Sequence, residues 1–334
     1  MNLMLSKILS LIKNKKILII FIIFICWIVS YLFLPLNITE ENASFEVVDG
    51  SNLNEITQQL VEVKVLRDSF RFKLLTSIFA KRESLKRGHY KLHANATALD
   101  LLDMLTHGKE SLYSIYFAEG STFSEMVDKV NKNKNIKHTL KSYSQENILK
   151  VISSDKKYAE GLFFPDSYYF YKNAPDIEIF QNSHSVLIRK LQSAWENRSD
   201  ELPYKDMYEA LIIASIIEKE VGVAEEAPII AGVFVNRLNI GMKLQSDPTV
   251  IYGMGKNFNG NITRKDLKKD NPYNTYTRKK LPPSPISLPS LNSIEAALNP
   301  SKTNALYFVA KGNRRHHFSA TLKDHNRAVR KYQK

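Results

Sequence analysis

Three hydrophobic patterns organise the chain. The first is Ile17–Leu36, ILIIFIIFICWIVSYLFLPL, twenty residues without a charge. At about 1.5 Å rise per residue such a run spans roughly 30 Å, one bilayer core. It is longer than the roughly 7–15 apolar residues of a cleavable signal, and no Ala-x-Ala follows it. The pattern predicts one uncleaved membrane helix. The second pattern is a set of short β-like runs, Phe45–Val48, Gly88–His93 and Leu112–Phe117, each beside turn or capping residues. The third is Tyr204–Val221. At 3.6 residues per turn Met207, Leu211, Ala214, Glu218 and Val221 share a stripe, while Ile212, Ile213, Ile216 and Ile217 cover the other sides. A helix apolar all round belongs inside a domain.

Between the first and third patterns lies an internal repeat. Val48-Asp49-Gly50-Ser51-Asn52-Leu53-Asn54-Glu55-Ile56 returns seventy residues later as Ala118-Glu119-Gly120-Ser121-Thr122-Phe123-Ser124-Glu125-Met126. Each copy has a strand, a Gly turn, a Ser able to cap the next helix, and a Glu near its first turn. Gly88–His93 reads as a further strand, followed by a helix over Ala98–Leu105 that Asn95 or Thr97 caps and Gly108 stops. This arrangement resembles a LysM-like glycan-recognition module, and a plain α+β spacer fits the pattern equally well. Farther on, helices are expected over Ile179–Asn197, Pro228–Leu238 and Leu322–Gln333. A hairpin is expected from Ala305–Val309 to His317–Ser319.

Composition alters this picture in two places. The formal charge of +13 favours polyanions, but no nucleic-acid motif accompanies it, so nucleic acid is not expected as a partner. Cys26 is the single cysteine, which excludes an intrachain disulfide and a Cys-based zinc site. Lys7, Lys13, Lys15 and Lys16 precede the apolar run and Glu40–Glu41 follow it, placing the N-terminus in the cytoplasm and the rest outside.

The stripe then poses a chemical question. Glu218 stands where a Leu would be expected, and desolvation there raises a carboxyl's pKa, as general-acid catalysis requires. A structural Glu paired with an Arg fits the same pattern. Downstream, Leu244-Gln245-Ser246-Asp247-Pro248-Thr249 predicts an Asp-Pro turn presenting Gln245 and Asp247 together. Tyr273-Asn274-Thr275-Tyr276-Thr277 is a polar-aromatic cluster, and Leu281-Pro282-Pro283-Ser284-Pro285-Ile286 is too proline-dense for a helix. Upstream, Gly161–Tyr171 gathers six aromatics around Pro165-Asp166. Some of these rings serve a core strand, and others are free to stack on sugars beside Asp166. No Gly-x-Ser-x-Gly, phosphate loop or His-Glu-x-x-His is present. His316, His317 and His325 lack a nearby acidic cluster. Neither metal nor cofactor is expected. One acid-bearing helix with many amides, hydroxyls and aromatics points to carbohydrate chemistry.

Ile217-Glu218-Lys219-Glu220, Phe234–Leu238, Leu244–Val250, Tyr273–Tyr276 and Leu281-Pro282-Pro283 together resemble the endolytic murein transglycosylase family, the MltG or YceG-like proteins. Phe164-Pro165-Asp166, Leu306–Ala310, His316-His317-Phe318 and His325-Asn326 extend the similarity over about residues 45–330. Ser167, Val221, Lys280, Ser284 and Ser290 depart from the usual family residues. The resemblance implies a lytic cut between N-acetylmuramic acid and N-acetylglucosamine in nascent peptidoglycan strands. Glu218 would act first as acid and then as base, leaving 1,6-anhydro ends. Glu220 would orient it or ion-pair, and Asp166, Gln245, Asp247, Asn274 and Tyr276 would hold sugar. Peptidoglycan synthases are the protein partners that such a role implies. Two rivals fit less of the pattern: a non-catalytic membrane-tethered scaffold, and an inverting muramidase using Glu218 with Asp247 or Asp166.

The expected architecture is α+β. A cytoplasmic tail (1–16) leads to a single N-terminal transmembrane helix (17–36) and a linker (37–44). A LysM-like βα module (45–111) and a mixed α/β catalytic domain (112–334), with its acid on a buried helix, then lie outside the cytoplasmic membrane.

Overall fold

The computed structural model describes residues 15–39, 42–48, 51–79, 85–108 and 111–333. The basic residues up to Lys13, the Glu40–Glu41 pair and the Asp49-Gly50 turn of the first repeat copy lie outside them. Contacts divide the chain into two units, Met1–Tyr113 and Ser114–Lys334.

In the first unit the apolar run forms α1, Lys15–Phe33. The helix stops short of Leu36 because proline cannot continue it. Pro35 instead bridges to Thr97, and the Leu36 N–H donates to the Ala96 carbonyl at 2.8 Å. The expected helix over 17–36 is thus corrected at its end. The helical part of the run rises only about 25 Å against a bilayer core of roughly 30 Å. Among the described residues no helix is long and apolar enough to cross a membrane.

Strands β1 (Ser44–Val47) and β2 (Gly88–Lys91) pair antiparallel, with Phe45 opposite Tyr90 and their rings stacked at 5.7 Å. Helices α2 (Leu53–Glu62), α3 (Ser69–Phe79) and α4 (Ala98–His107) close over them. Ile56, Leu60, Phe72, Leu101 and Leu105 make the core with Phe45 and Tyr90. Thr97, not Asn95, caps α4, and Gly108 ends it. Helix α3 has no counterpart among the sequence expectations.

The second unit begins in β3 (Leu112–Tyr116), which pairs with β5 (Ser167–Tyr171), and α5 (Phe123–Lys132) follows β3. The two repeat copies agree at their helix starts. Asn52 with Glu55 and Thr122 with Glu125 each form a capping box. Both caps fall one residue beyond the expected Ser51 and Ser121. In the second copy the Ser121 hydroxyl turns back to donate to the Ala118 carbonyl at 2.6 Å.

Short β4 (Ile136–Lys137) and β6 (Ala174–Pro175) pair in parallel around α6 (Gln145–Val151), and α7 (Asp176–Glu196) leads to the central α8 (Met207–Glu220). Asp206 caps α8 through the Glu209 N–H at 2.9 Å, and every side chain from Ala210 to Ile217 is buried. Around it pack α7, α9 (Ala227–Asn239), α10 (Asp247–Met254) and, beyond the short α11 (Arg264–Lys268), α12 (Leu291–Leu298). Asp247-Pro248 therefore opens a helix rather than closing a turn, as proline in a first helical turn allows. The antiparallel hairpin β7 (Tyr307–Ala310) and β8 (His316–Ser319) and helix α13 (Leu322–Tyr332) end the unit. Along β5 Tyr168 and Phe170 are buried while Tyr169 and Tyr171 are exposed, so the aromatic run divides between core and surface.

Candidate active site

Glu218 lies on the last turn of α8, where the helix leaves the core. It is half-buried, not enclosed as the stripe implied. The proline-rich segment runs beside this turn. One turn earlier the Ile286 N–H donates to Ser215 Oγ at 3.0 Å, and Ser287 Oγ donates to the Ser215 carbonyl at 3.1 Å. Gly161 lets the segment lie close, since a Cβ there would stand 2.3 Å from Pro285 Cβ. The segment ends on the acid. Glu218 Oε2 accepts from Ser290 N–H at 2.9 Å, Ser290 Oγ at 2.5 Å and Ser293 Oγ at 2.7 Å. These bonds all fall on one oxygen, and among the described residues Oε1 has no hydrogen-bond partner.

The second repeat turn meets the same acid. The Gly120 N–H donates to the Leu288 carbonyl at 2.9 Å, and the Leu288 N–H donates to the Ser121 carbonyl at 2.7 Å. Lys219 Nζ donates to the Gly120 carbonyl at 3.1 Å. At Gly120 φ is +71°, and a Cβ would make ordinary contact with Glu218 Cγ at 3.7 Å. Backbone conformation, not space, calls for glycine there. Although exposed, Glu119 has its carboxyl pushed above the usual range by partial burial and by the charges of Glu218 and Asp166. Asp166 is exposed. Its Oδ1 accepts the Ser167 N–H at 2.8 Å, and its carbonyl accepts the Phe117 N–H at 3.0 Å. Among the described residues no group of His, Cys, Asp and Glu is arranged to hold a metal.

A second cluster surrounds Glu220. Ser246 Oγ donates to its Oε1 at 2.5 Å. Burial pushes this carboxyl up to about 7; Asp247 adds to the effect, while Ser246 and Arg237 oppose it. Glu220, itself only half-buried, is thus a raised carboxyl at the end of α8. Arg237 is itself buried, with Nε donating to the Leu306 carbonyl at 2.7 Å and Nη1 to that of Leu244. Gln245 is exposed in a left-handed conformation, φ +49°, and its N–H donates to the Thr275 carbonyl at 3.2 Å. Tyr276 donates its hydroxyl to Asp247 Oδ1 at 2.5 Å. Gln245, Asp247 and Tyr276 thus gather as expected, joined to Glu220 through Ser246.

Asn274 does not join them as a sugar ligand. It is fully buried, and its Nδ2 donates to the carbonyls of Asp266, Leu267 and Lys269 at 3.3, 3.2 and 2.8 Å. Its Oδ1 accepts from Tyr276 and Thr277 N–H at 2.9 and 3.3 Å. The side chain shapes the turn, and the expected substrate contact is corrected.

Sequence reasoning missed Ser290, Ser293, Glu119 and Glu160. Glu160 is buried; its Oε1 accepts the Phe123 N–H at 2.9 Å and its Oε2 the Tyr252 hydroxyl at 3.0 Å. Burial pushes its carboxyl up to about 7. Tyr252 meets Tyr273 edge-on at 4.8 Å, and Tyr273 reaches Ser284 Oγ at 2.8 Å. The available signals were an acid before a Gly at 119 and 160, the second leading into an apolar run.

A carboxyl held by one oxygen and free at the other can deliver a proton to an approaching oxygen and take one back. Residues 45–331 match the model of the YceG-like family. Over 202 residues the chain is 39% identical to a Bacillus subtilis (strain 168) protein named endolytic murein transglycosylase, covering 60% of this chain and 50% of that one. A Streptococcus pneumoniae (serotype 2, strain D39) protein of the same name is 28% identical over 321 residues, covering 85% and 57%. The chain spans about half the length of these curated relatives. A 2.6 Å crystal structure of a YceG-like protein from Listeria monocytogenes aligns with a TM-score of 0.52 and 28% identity, covering 85% of this chain and 98% of that one. The matched residues include every segment that builds the Glu218 site, and the chain belongs to the YceG-like family.

Proposed function

We propose that the protein is a lytic transglycosylase that cuts peptidoglycan glycan strands. The observation that carries this reading is Glu218, with Oε2 clamped by Ser290 and Ser293 and Oε1 without a partner among the described residues. The names of its relatives supply the substrate class. Glu218 Oε1 protonates the oxygen leaving the anomeric carbon of N-acetylmuramic acid. The resulting carboxylate then takes the proton of that sugar's C6 hydroxyl, whose oxygen closes a 1,6-anhydro ring. Water is not the nucleophile, so no second carboxylate has to activate it. Asp166 and Glu119 supply negative charge near the developing oxocarbenium ion. Gln245, Asp247 and Tyr276 hold sugar hydroxyls and acetamides on the Glu220 side.

In this reading the apolar run 17–36, α1 together with the residues that follow it, anchors the protein in the cytoplasmic membrane. Support comes from its outward apolar side chains, among them Ile20, Phe21 and Ile23, which are 58–66% exposed. Leu34, just past the helix end, extends the apolar surface. The second unit then acts outside the membrane on strands as synthases extend them, and the LysM-like module contributes glycan contact.

Mass analysis of the products is the test. Anhydro ends are expected from the wild type and no cleavage from Glu218→Gln, whose amide cannot donate and retrieve a proton. Reducing ends would favour the inverting reading, in which Asp166 or Asp247 activates water. Full activity in Glu218→Gln would overturn the assignment.

A further inference from the structure

A concavity of about 550 Å³ lies in the second unit, between α7 and α12. Arg189, Lys190, Ser193 and Asn197 line it from the α7 side, Leu291 and Glu295 from α12. Two cations face one acid, so the lining is net positive. Neither Arg189 nor Lys190 is ion-paired among the described residues. Positive charge is common on this chain, and this pair stands apart because its concavity connects to the Glu218 site.

Two independent connections set that place. Leu291 directly follows Ser290, whose N–H and Oγ clamp Glu218 Oε2. One wall of the concavity therefore begins one Cα step, about 3.8 Å, from the clamp. On the other wall, Lys190 Nζ sits 4.8 Å from the centre of the Phe164 ring. The Tyr168 phenol is raised by burial and by Asp166, and the charge of Arg189 opposes that rise. Phe164 and Tyr168 flank Asp166, whose charge acts on Glu119 beside the acid.

The substrate has chemistry that uncharged sugar ligands do not use. In peptidoglycan each muramic sugar carries, on its lactyl group, a short peptide with free carboxylates. The muramic sugar attacked at its anomeric carbon therefore projects an anionic peptide from the ring next to Glu218. Guanidinium and ammonium groups with no carboxylate partner among the described residues, and with amide and hydroxyl neighbours, suit carboxylates and peptide groups. We propose that this concavity is a stem-peptide subsite, in which Arg189 and Lys190 receive the carboxylates of the peptide on the sugar being cut. The inference rests on the transglycosylase reading and adds to it the part of the substrate that is not glycan.

The test compares peptide-bearing strands with the same strands stripped of peptide by an amidase. Wild-type full-length protein reads cleavage, and the Glu218→Gln protein reads binding without turnover. In the binding arm, peptide-bearing strands are expected to bind at least tenfold tighter than stripped ones, and Arg189→Glu with Lys190→Glu should erase the difference. In the cleavage arm, the double variant should raise KM for peptide-bearing strands about tenfold, with kcat within twofold and stripped strands unaffected. Arg189→Gln with Lys190→Gln, which only neutralises the pair, should fall between. Equal binding of both strands, or an equal loss on both in the double variant, would overturn the subsite. Peptide-dependent binding without any wild-type cleavage would uphold the subsite and remove the transglycosylase reading instead.

Discussion

Replacing Glu220 by Gln exchanges the desolvated carboxyl of a half-buried residue for an amide of the same shape, one that still accepts the Ser246 hydroxyl through its oxygen. The carboxyl has an ordinary value of 4.5 and is pushed up to about 7 in the fold. A raised value means that the folded state favours the proton. The stabilisation is complete below pH 4.5, declines as pH rises toward 7, and is absent above both values. At 1.36 kcal/mol per pH unit the difference is roughly 3 kcal/mol. The amide cannot titrate, so the variant should gain about that much on wild type between pH 4 and pH 8.5. For a unit of this size that corresponds to a Tm difference growing by roughly 6–12 °C. Glu160 also has a value of about 7 but titrates in both proteins, so it cancels from the comparison. Paired calorimetric melts of the second unit's transition at the two pH values provide the assay. A difference between the proteins that stays constant with pH would refute the reasoning and mean that Glu220 is solvated or firmly paired.

Two other substitutions have defined outcomes. Gly161→Ala places a Cβ 2.3 Å from that of Pro285 at a φ of +73°. It should destabilise the second unit by about 3 kcal/mol or more and loosen the Ser290 clamp; a Tm within 2 °C of wild type, or full retention of cleavage, would count against it. Asn274→Ala strips three donor and two acceptor bonds from one turn. About 2–4 kcal/mol of stability should be lost with KM within twofold in the protein that stays folded. A tenfold KM increase at unchanged stability would return Asn274 to the substrate.

The axis of the second unit was legible because Ala210–Ile217 is apolar on every side, and only burial explains such a helix. Gln245, Asp247 and Tyr276 were legible as a group because polar residues crowd two short segments. Depth was not legible. A helical wheel gives direction around an axis but not the position along it where a helix leaves the core. Glu218 is half-buried rather than enclosed, and so is Glu220, whose carboxyl its surroundings push up. Asn274 was misplaced for a related reason: an Asn in a polar turn looks the same in sequence whether it faces solvent or its own backbone. Ser290 and Ser293 were hidden because they meet Glu218 across more than seventy positions. Helix α3 escaped because its apolar residues spread around it, leaving no stripe to detect.

The stitched backbone around Gly120 and Leu288 also bears on when the site comes into being. Its parts enter the chain at residues 119, 166, 218 and 290, and the final clamp closes on Ser293. Joining segments so far apart requires closing long loops, which makes such contacts slow and late to form. While the chain emerges from its N-terminal end, Glu218 is present long before the serines that orient it. The carboxyl acquires its working geometry only after Ser293, seventy-five positions farther on, has appeared. Until then the nascent chain holds an acid without an aim, and the geometry of Glu218 is tied to the late contacts of the second unit.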